Sequence, residues 1–394
     1  MNRLLSLIRL DKEEKAKRGL SHTPGEIAQQ PATWATTFMN FQQRRPEIES
    51  FLKSAGIGVD SDRRPIVFLI GAGTSDYIGQ SLVALLRQKW QCEVSAVPST
   101  DLLTNFEDFI LRDREYLWIS FSRSGDSPEG VTVLEKALKV CPNISHLVVS
   151  CNAAGKMIRD HRGDPRVFGL LLDDAVNDRG LAMTSSFSNM VICGHCLAHA
   201  WSLEEYEPVL HSLIVAGEKF LEISSDCAAN LAEGPYSRVC FVGSGALKAV
   251  ATESALKVSE LTAGRIQSMS ESTLGLRHGP LAALNTETLF VSYISSDSRR
   301  QRYEADLLRE IGKKGVVQTL VAVGIEANKE IEKECQIFLR PGSNVSIPDA
   351  YRPPLDVMFG QLLGLFFSIH CDLKPDVPSP SGAISRVVQN VPIH

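Results

Sequence analysis

No stretch of this 394-residue chain approaches the roughly 18 uninterrupted apolar residues that mark a membrane-spanning helix. The longest candidate, the run ending GQLLGLFFSIH at His370, falls short, so no membrane span is expected. The N-terminus, MNRLLSLIRLDKEEK, meets charge too soon to read as a signal sequence. There is also no long basic tract: DKEEKAKR at 11–18 reads as a solvated helix face, the net charge is -5, and no nucleic-acid partner is expected. An acidic chain that binds an anion must do so with local donors rather than with its overall field. Two phosphate motifs are missing as well. There is no GxxxxGK[ST], and Gly71-x-Gly73 lacks the third glycine of the dinucleotide fingerprint, so nucleotide binding has little support. Nine cysteines, an odd number scattered from Cys92 to Cys371, read as reduced core thiols in a soluble, cytoplasmic protein.

What the chain does contain is a repeat. IVFLIGAGTSD at 66–76 returns as RVCFVGSGALK at 238–248, so an apolar run enters a Gly-x-Gly turn at Gly71 and again at Gly243. The offset is 172 residues, and it also lays YLWISFSRSGDSPEG from Tyr116 over TLFVSYISSDSRRQR from Thr288, and HLVVSC from His146 over QTLVAV from Gln318. Matched runs at one spacing identify two copies of one folding unit.

Each copy alternates short apolar runs with longer helical patterns, the signature of a parallel sheet flanked by helices. Strands are expected near 66–70, 92–97, 116–121, 146–150 and 166–172, then near 238–242, 265–269, 288–294, 318–323 and 335–340. Long apolar helices near 184–203 and 354–370 close the copies. The expected fold is therefore α/β, two tandem units that are each a doubly wound five-stranded parallel sheet, with ligands beyond the carboxyl ends of the strands. The domain reading is a helical preface at 1–45, a first unit at 46–215, a second at 216–371 and a tail at 372–394.

Hydroxyls distinguish the copies. Thr74 and Ser75 follow the first strand, and Ser122, Ser124 and Ser127 follow the third, each loop running into a helix N-terminus. Backbone N–H groups and the helix dipole there attract phosphate, and hydroxyls add donors without bulk. For any one serine, ordinary N-capping is the better explanation; five hydroxyls on two neighbouring loops favour a phosphate site. In the second copy Glu253, Lys257 and Glu260 stand at i, i+4 and i+7 on one helix face, and ESTLGLRHGP carries Glu271, Arg277 and His278. From spacing alone these read as a solvent-exposed ion pair beside a surface histidine. Cys193-Gly-His-Cys196, followed by His199, imitates a dithiol or zinc motif, but its place deep inside an apolar helix points to core packing.

The motifs GAGTSDYIG, SFSRSGDS and TESALKVSELTAGRIQSMSESTLGLRHGPLAAL resemble the sugar isomerase (SIS) domains of the isomerase half of glucosamine-6-phosphate synthase, and EIAQQP at 26–31 resembles the segment that precedes them. In length, in ESTLGLRHGP and in the SPSGAISRVVQ tail, the chain is similar to the galactosamine-6-phosphate deaminases, also described as tagatose-6-phosphate ketose/aldose isomerases. The resemblance implies that Thr74, Ser75, Ser122, Ser124 and Ser127 hold a sugar phosphate, with Gly73, Arg123, Ser385 and Arg386 completing the substrate-binding set. It implies that Glu260 moves a proton between carbons 1 and 2, that His278 opens the sugar ring from across a dimer interface, and that Lys257 and Glu253 support them. No metal or organic cofactor is implied, and the partners are a small sugar phosphate and a second copy of the chain.

Two departures bear on function. Only about 45 residues precede the first sheet unit, too few for a glutaminase domain, so deamination or isomerisation is expected rather than synthesis from glutamine. In the tail, Arg386 stands where the family has an imine-forming Lys; Arg stays protonated, so it is expected to bind substrate oxygens. The expected activity is conversion of galactosamine 6-phosphate to tagatose 6-phosphate and ammonia. The alternatives are plain ketose/aldose isomerisation, glucosamine-6-phosphate deamination and, with less support, a non-catalytic sugar-phosphate sensor.

Overall fold

The computed structural model describes residues 2–58, 61–342, 346–388 and 391–394. Of the expected tail, Gln389 and Asn390 lie outside the described residues, Gln389 being also the last residue of SPSGAISRVVQ.

The first sheet is built from β1 (Ile66–Gly71), β2 (Val94–Pro98), β3 (Tyr116–Ser122), β4 (Ile144–Ser150) and β5 (Val167–Leu171). The second holds β6 (Arg238–Gly243), β7 (Gln267–Ser272), β8 (Thr288–Tyr293), β9 (Thr319–Val323) and β10 (Ile337–Leu339). Every pairing is parallel. The strand orders are β2-β1-β3-β4-β5 and β10-β9-β8-β6-β7, the same order read from opposite edges. Both units are thus the doubly wound folds expected, with the order reversing between β1 and β3 and between β6 and β8. β1, β3 and β8 are buried along their whole length, because a sheet covered on both faces has no wet side, and so they read as unbroken apolar runs.

The repeat is regular at its centre and slips at its flanks. Ile66 pairs with Tyr116 and Arg238 with Thr288, which preserves the 172-residue offset. Leu117 pairs with Ser145, however, whereas Leu289 pairs with Thr319, so β9 is displaced two residues from the HLVVSC-on-QTLVAV match. The helix before it is the longer one, Ser298–Lys314 against Pro128–Val140. A two-residue slip leaves side-chain alternation unchanged, so the apolar pattern could not reveal it.

By contact the chain forms two compact units that interleave in sequence. One holds the first sheet and comprises Thr33–Asn177, Ser185–Pro208 and Ser385–His394; the other holds the second sheet and comprises Met1–Ala32, Asp178–Thr184 and Val209–Ile384. The N-terminal segment is helical over Arg3–Ile8, Lys12–Arg18, Thr23–Ala28 and Gln30–Ser54. Asp11 caps the second of these by accepting from the Glu14 N–H at 2.8 Å, and Gly19 ends it in the left-handed conformation, φ +65°. In the second-sheet unit, Asp376 ties the tail to this segment by accepting from the backbone N–H of Ser21 and Thr23 at 2.7 and 2.8 Å.

The helices Ser185–Ala198 and Pro353–His370 are apolar and buried almost all round, as core helices are. The first ends at Ala198 rather than near 203, because the chain turns tightly through 199–202 before the helix Leu203–Ala232 begins. Among the described residues, no helix is long and apolar enough to cross a membrane.

Candidate active site

In the first-sheet unit, β1 delivers the Gly71-Ala72-Gly73 turn to the helix Thr74–Trp90. A Cβ on Gly71 would stand 2.3 Å from the Ser75 carbonyl carbon, and Gly73 has φ +55°, so glycine is needed at both. Thr74 and Ser75 are buried in the first turn of this 17-residue helix. The neighbouring β3 ends at Ser122. Its hydroxyl accepts from the Gly125 N–H at 3.0 Å, and the Ser124 hydroxyl accepts from the Asp126 N–H at 3.1 Å. Ser127 occupies the N-cap of Pro128–Val140, but its hydroxyl makes no capping bond. The two loops therefore leave adjacent strands at the switch point of the sheet, each opening onto a helix N-terminus.

The loop after β4 buttresses this turn, a support that the sequence reading missed. Asn152 Nδ2 donates to the Ser124 carbonyl at 2.8 Å, Asp126 Oδ1 accepts from the Lys156 N–H at 2.9 Å, and the Met157 N–H donates to the Gly125 carbonyl at 3.0 Å. Gly125 has φ +66°, and the space a side chain would need is taken by Gly155. The tail residues sit in the same unit. The Arg123 guanidinium donates to the Arg386 carbonyl, Arg386 Nη2 donates to Asn177 Oδ1 at 2.7 Å, and the Ser385 hydroxyl donates to the Val387 carbonyl at 2.7 Å.

The second-sheet unit repeats the Gly-x-Gly turn at Gly243 and Gly245, and it leads into the helix Ala246–Leu261. The expectation of an exposed ion pair fails here. Glu253 and Lys257 are fully buried, with Lys257 Nζ 3.3 Å from Glu253 Oε1 and 2.5 Å from Glu260 Oε2. Glu260 alone keeps part of its side chain, 24%, open. Burial disfavours the Lys257 ammonium, yet the two carboxylates outweigh it and hold its pKa above the usual lysine value. What buries the group is close packing against Pro353–His370. A Cβ at Gly360 would stand 2.2 Å from Ser254 Oγ, and one at Gly364 2.9 Å from the Lys257 carbonyl oxygen. That Gly-x-x-x-Gly spacing in FGQLLGLFF was the legible sign that the opposing helix face is covered.

Other residues of this unit are not drawn into that cluster. Glu271 accepts from the Ser272 N–H at 2.6 Å and pairs with Lys248 at 3.7 Å, contacts that hold its carboxyl below the usual range. Arg277 Nε meets Glu310 Oε2 at 2.6 Å, and His278 lies exposed at the end of the short turn Gly275–Arg277. The Cys193 and Cys196 thiols are buried in the core; desolvation pushes Cys193 up to about 12 and Cys196 well above its ordinary value. Neighbouring His195 bonds Tyr206 through Nδ1 at 3.0 Å. Among the described residues no group of three or more His, Cys, Asp or Glu side chains could hold a metal ion.

A scan of protein-family models finds none that matches the chain. Individual relatives do match. A Streptomyces coelicolor protein provisionally named D-galactosamine-6-phosphate deaminase AgaS is 38% identical over 375 residues, 95% of both chains. The Escherichia coli D-galactosamine-6-phosphate deaminase AgaS is 34% identical over 384 residues, 94% of this chain and 95% of its own. The crystal structure of tagatose-6-phosphate ketose/aldose isomerase from Escherichia coli superposes with a TM-score of 0.83 at 31% identity, covering 94% of this chain and 96% of the other. With two SIS-type sheets in tandem and likeness along nearly its whole length, the chain belongs to the AgaS family of D-galactosamine-6-phosphate deaminases.

Proposed function

We propose that this protein converts galactosamine 6-phosphate into tagatose 6-phosphate and ammonia. The observation that carries the reading is the arrangement around Lys257, which binds two carboxylates in a dry core and leaves one of them, Glu260, reachable from outside. Lys257 is pinned as a cation by both carboxylates, and its 2.5 Å contact orients Glu260. In the open-chain amino sugar, Glu260 takes the proton from carbon 2, which the adjacent aldehyde acidifies. The resulting enolamine regains that proton at carbon 1 and becomes a ketimine. Water adds to the ketimine carbon, ammonia leaves, and the ketose phosphate remains. Thr74, Ser75, Ser122, Ser124 and Ser127, with the backbone at Gly73, grip the phosphate, while Arg123, Ser385 and Arg386 complete the substrate contacts. His278, donated by a second copy of the chain, assists ring opening.

The names of the relatives support this assignment, as do the Ser122 and Ser124 hydroxyls, which accept from backbone N–H groups and donate to no described residue. Nine free thiols suit a reducing cytoplasm. Incubation with galactosamine 6-phosphate, glucosamine 6-phosphate and tagatose 6-phosphate, with assays for ammonia and ketose, tests the substrate. Glu260→Gln should lower turnover by about 10²–10⁴-fold and abolish exchange of the carbon-bound proton with solvent, because Gln keeps the shape of Glu without accepting a proton. Wild-type exchange in that variant would move the base elsewhere. Mixed dimers of Glu260→Gln and His278→Ala chains should regain activity; inactive mixed dimers would rule out His278 acting in trans. A second reading, ketose/aldose isomerisation without loss of ammonia, is favoured by the name of the Escherichia coli structure and uses the same residues.

A further inference from the structure

The turn after β8 starts from the same strand register as the turn after β3, but its donors are already occupied. The Ser296 N–H donates to Asp349 Oδ1 at 2.7 Å, the Ser296 hydroxyl is shared between Oδ1 at 3.0 Å and the Ile347 carbonyl at 2.9 Å, and the Ser295 hydroxyl donates to Asp349 Oδ2. Arg300 Nη1 reaches Oδ2 at 2.9 Å, and the fully buried Arg352 reaches Oδ1 at 3.3 Å. Glu304 Oε2 takes the remaining Ser295 N–H at 2.9 Å. Five charged or polar donors thus converge on one carboxylate that is itself 8% exposed. That carboxylate arrives from a separate segment, the single turn Asp349–Tyr351.

Two hydroxyls, a backbone N–H in the turn just before the N-cap of the 17-residue helix Ser298–Lys314 and two guanidinium groups form the donor set that recognises an oxyanion. We propose that the second unit retains an oxyanion-binding turn and that Asp349 is its tethered ligand, so that removing this carboxylate opens a site for a free anion of the carboxylate, sulfate or phosphate class. A buried ion-pair network without binding character would share these distances; it would not accept a replacement from solution.

Asp349→Gly supplies the test. Thermal midpoints of wild type and variant are measured against rising formate, sulfate or phosphate, with ionic strength held constant by chloride. Wild type controls for general salt effects and for anions bound elsewhere, including the turn after β3. The variant should melt below wild type in chloride, then recover most of that gap with a saturable dependence on oxyanion that wild type lacks. Asp349→Asn fills the same space with a neutral amide and should gain no such response. Parallel responses of wild type and Asp349→Gly, or an equal response of the Asn variant, would overturn the proposal. If Asp349→Gly does not fold in chloride, refolding with the oxyanions should restore it; failure with every anion, for Asp349→Gly and Asp349→Ser alike, also overturns it. Unfolding is the readout rather than turnover, so this outcome is independent of the proposed activity.

Discussion

The two units share a sheet order and a Gly-x-Gly turn, yet they use the hydroxyls of their equivalent turns in opposite ways. After β3, Ser122 and Ser124 accept from nearby backbone N–H groups and donate to no described residue. After β8, the Ser295 hydroxyl gives its proton to Asp349, and the Ser296 hydroxyl shares its own between Asp349 and the Ile347 carbonyl. The first helices diverge in the other direction. At the 172-residue offset Ser81, Leu85 and Gln88 stand where the second copy has Glu253, Lys257 and Glu260, and Leu85 is buried as Lys257 is. A backbone that buries leucine at a site will bury lysine there only if carboxylates come with it. One copy has kept open donors and an uncharged helix face; the other has closed its donors and placed charge in its core.

Restoring the first copy's residues to the second is the strongest way to break this comparison. Lys257→Leu alone strands Glu253 in a dry core and should cost about 3–5 kcal/mol, read from urea unfolding at neutral pH. Adding Glu253→Ser and Glu260→Gln, which reproduces the Ser81, Leu85, Gln88 set, should recover most of that stability and none of the activity. A single variant as stable as wild type would mean that the pairing around Lys257 contributes nothing.

The reciprocal test concerns the spare donors. Ser122→Ala and Ser124→Ala should each weaken binding of sugar phosphate by about 1.5–3 kcal/mol, seen as a higher KM, since each hydrogen bond to a charged group has about that value. Unfolding should change little, because neither hydroxyl donates to a described residue. Unchanged affinity in the double variant would remove the phosphate assignment.

Strand positions and fold class were legible because parallel strands buried on both faces announce themselves as apolar runs. The two-residue displacement of β9 was not, because a slip of two keeps every side chain on its own face. Spacing placed Glu253, Lys257 and Glu260 on one helix face but could not say whether that face was wet. The answer lay about 100 residues further on, in Gly360 and Gly364, whose lack of side chains lets the second helix cover it. Asp349 was invisible for a related reason: its partners Ser295, Ser296 and Arg300 lie about 50 residues away, and only the closed fold joins them.

A smaller effect separates the units by pH. Burial, aided by nearby Asp349 and opposed by the Ser295 N–H, Arg352 and Arg300, raises Glu304 from 4.5 to about 7. An acid whose pKa is raised on folding loses stability as pH climbs from the unfolded value to the folded one. Wild type should therefore weaken between pH 4.5 and about 7. Glu304→Gln, which stays neutral and can still accept the Ser295 N–H, should match wild type near pH 4.5 and exceed it by about 3 kcal/mol above the folded-state pKa. Some slope will persist from Glu26 and Asp356, raised to about 7 and about 6 mainly by burial. Identical pH profiles of variant and wild type would show that Glu304 does not titrate in this window.

The helix caps give the finest discrimination. Asp297 caps Ser298–Lys314 by accepting from the Arg300 N–H at 2.9 Å, whereas Ser127, at the same place before Pro128–Val140, makes no capping bond. Asp297→Ala should therefore cost about 1 kcal/mol of stability, the ordinary worth of an N-cap. Ser127→Ala should cost no more than a few tenths in unfolding while raising KM, the outcome that the proposed grip on the sugar phosphate requires. If Ser127→Ala destabilised the protein as much as Asp297→Ala and left KM unchanged, Ser127 would be a cap after all. The phosphate grip would then rest on Thr74, Ser75, Ser122 and Ser124.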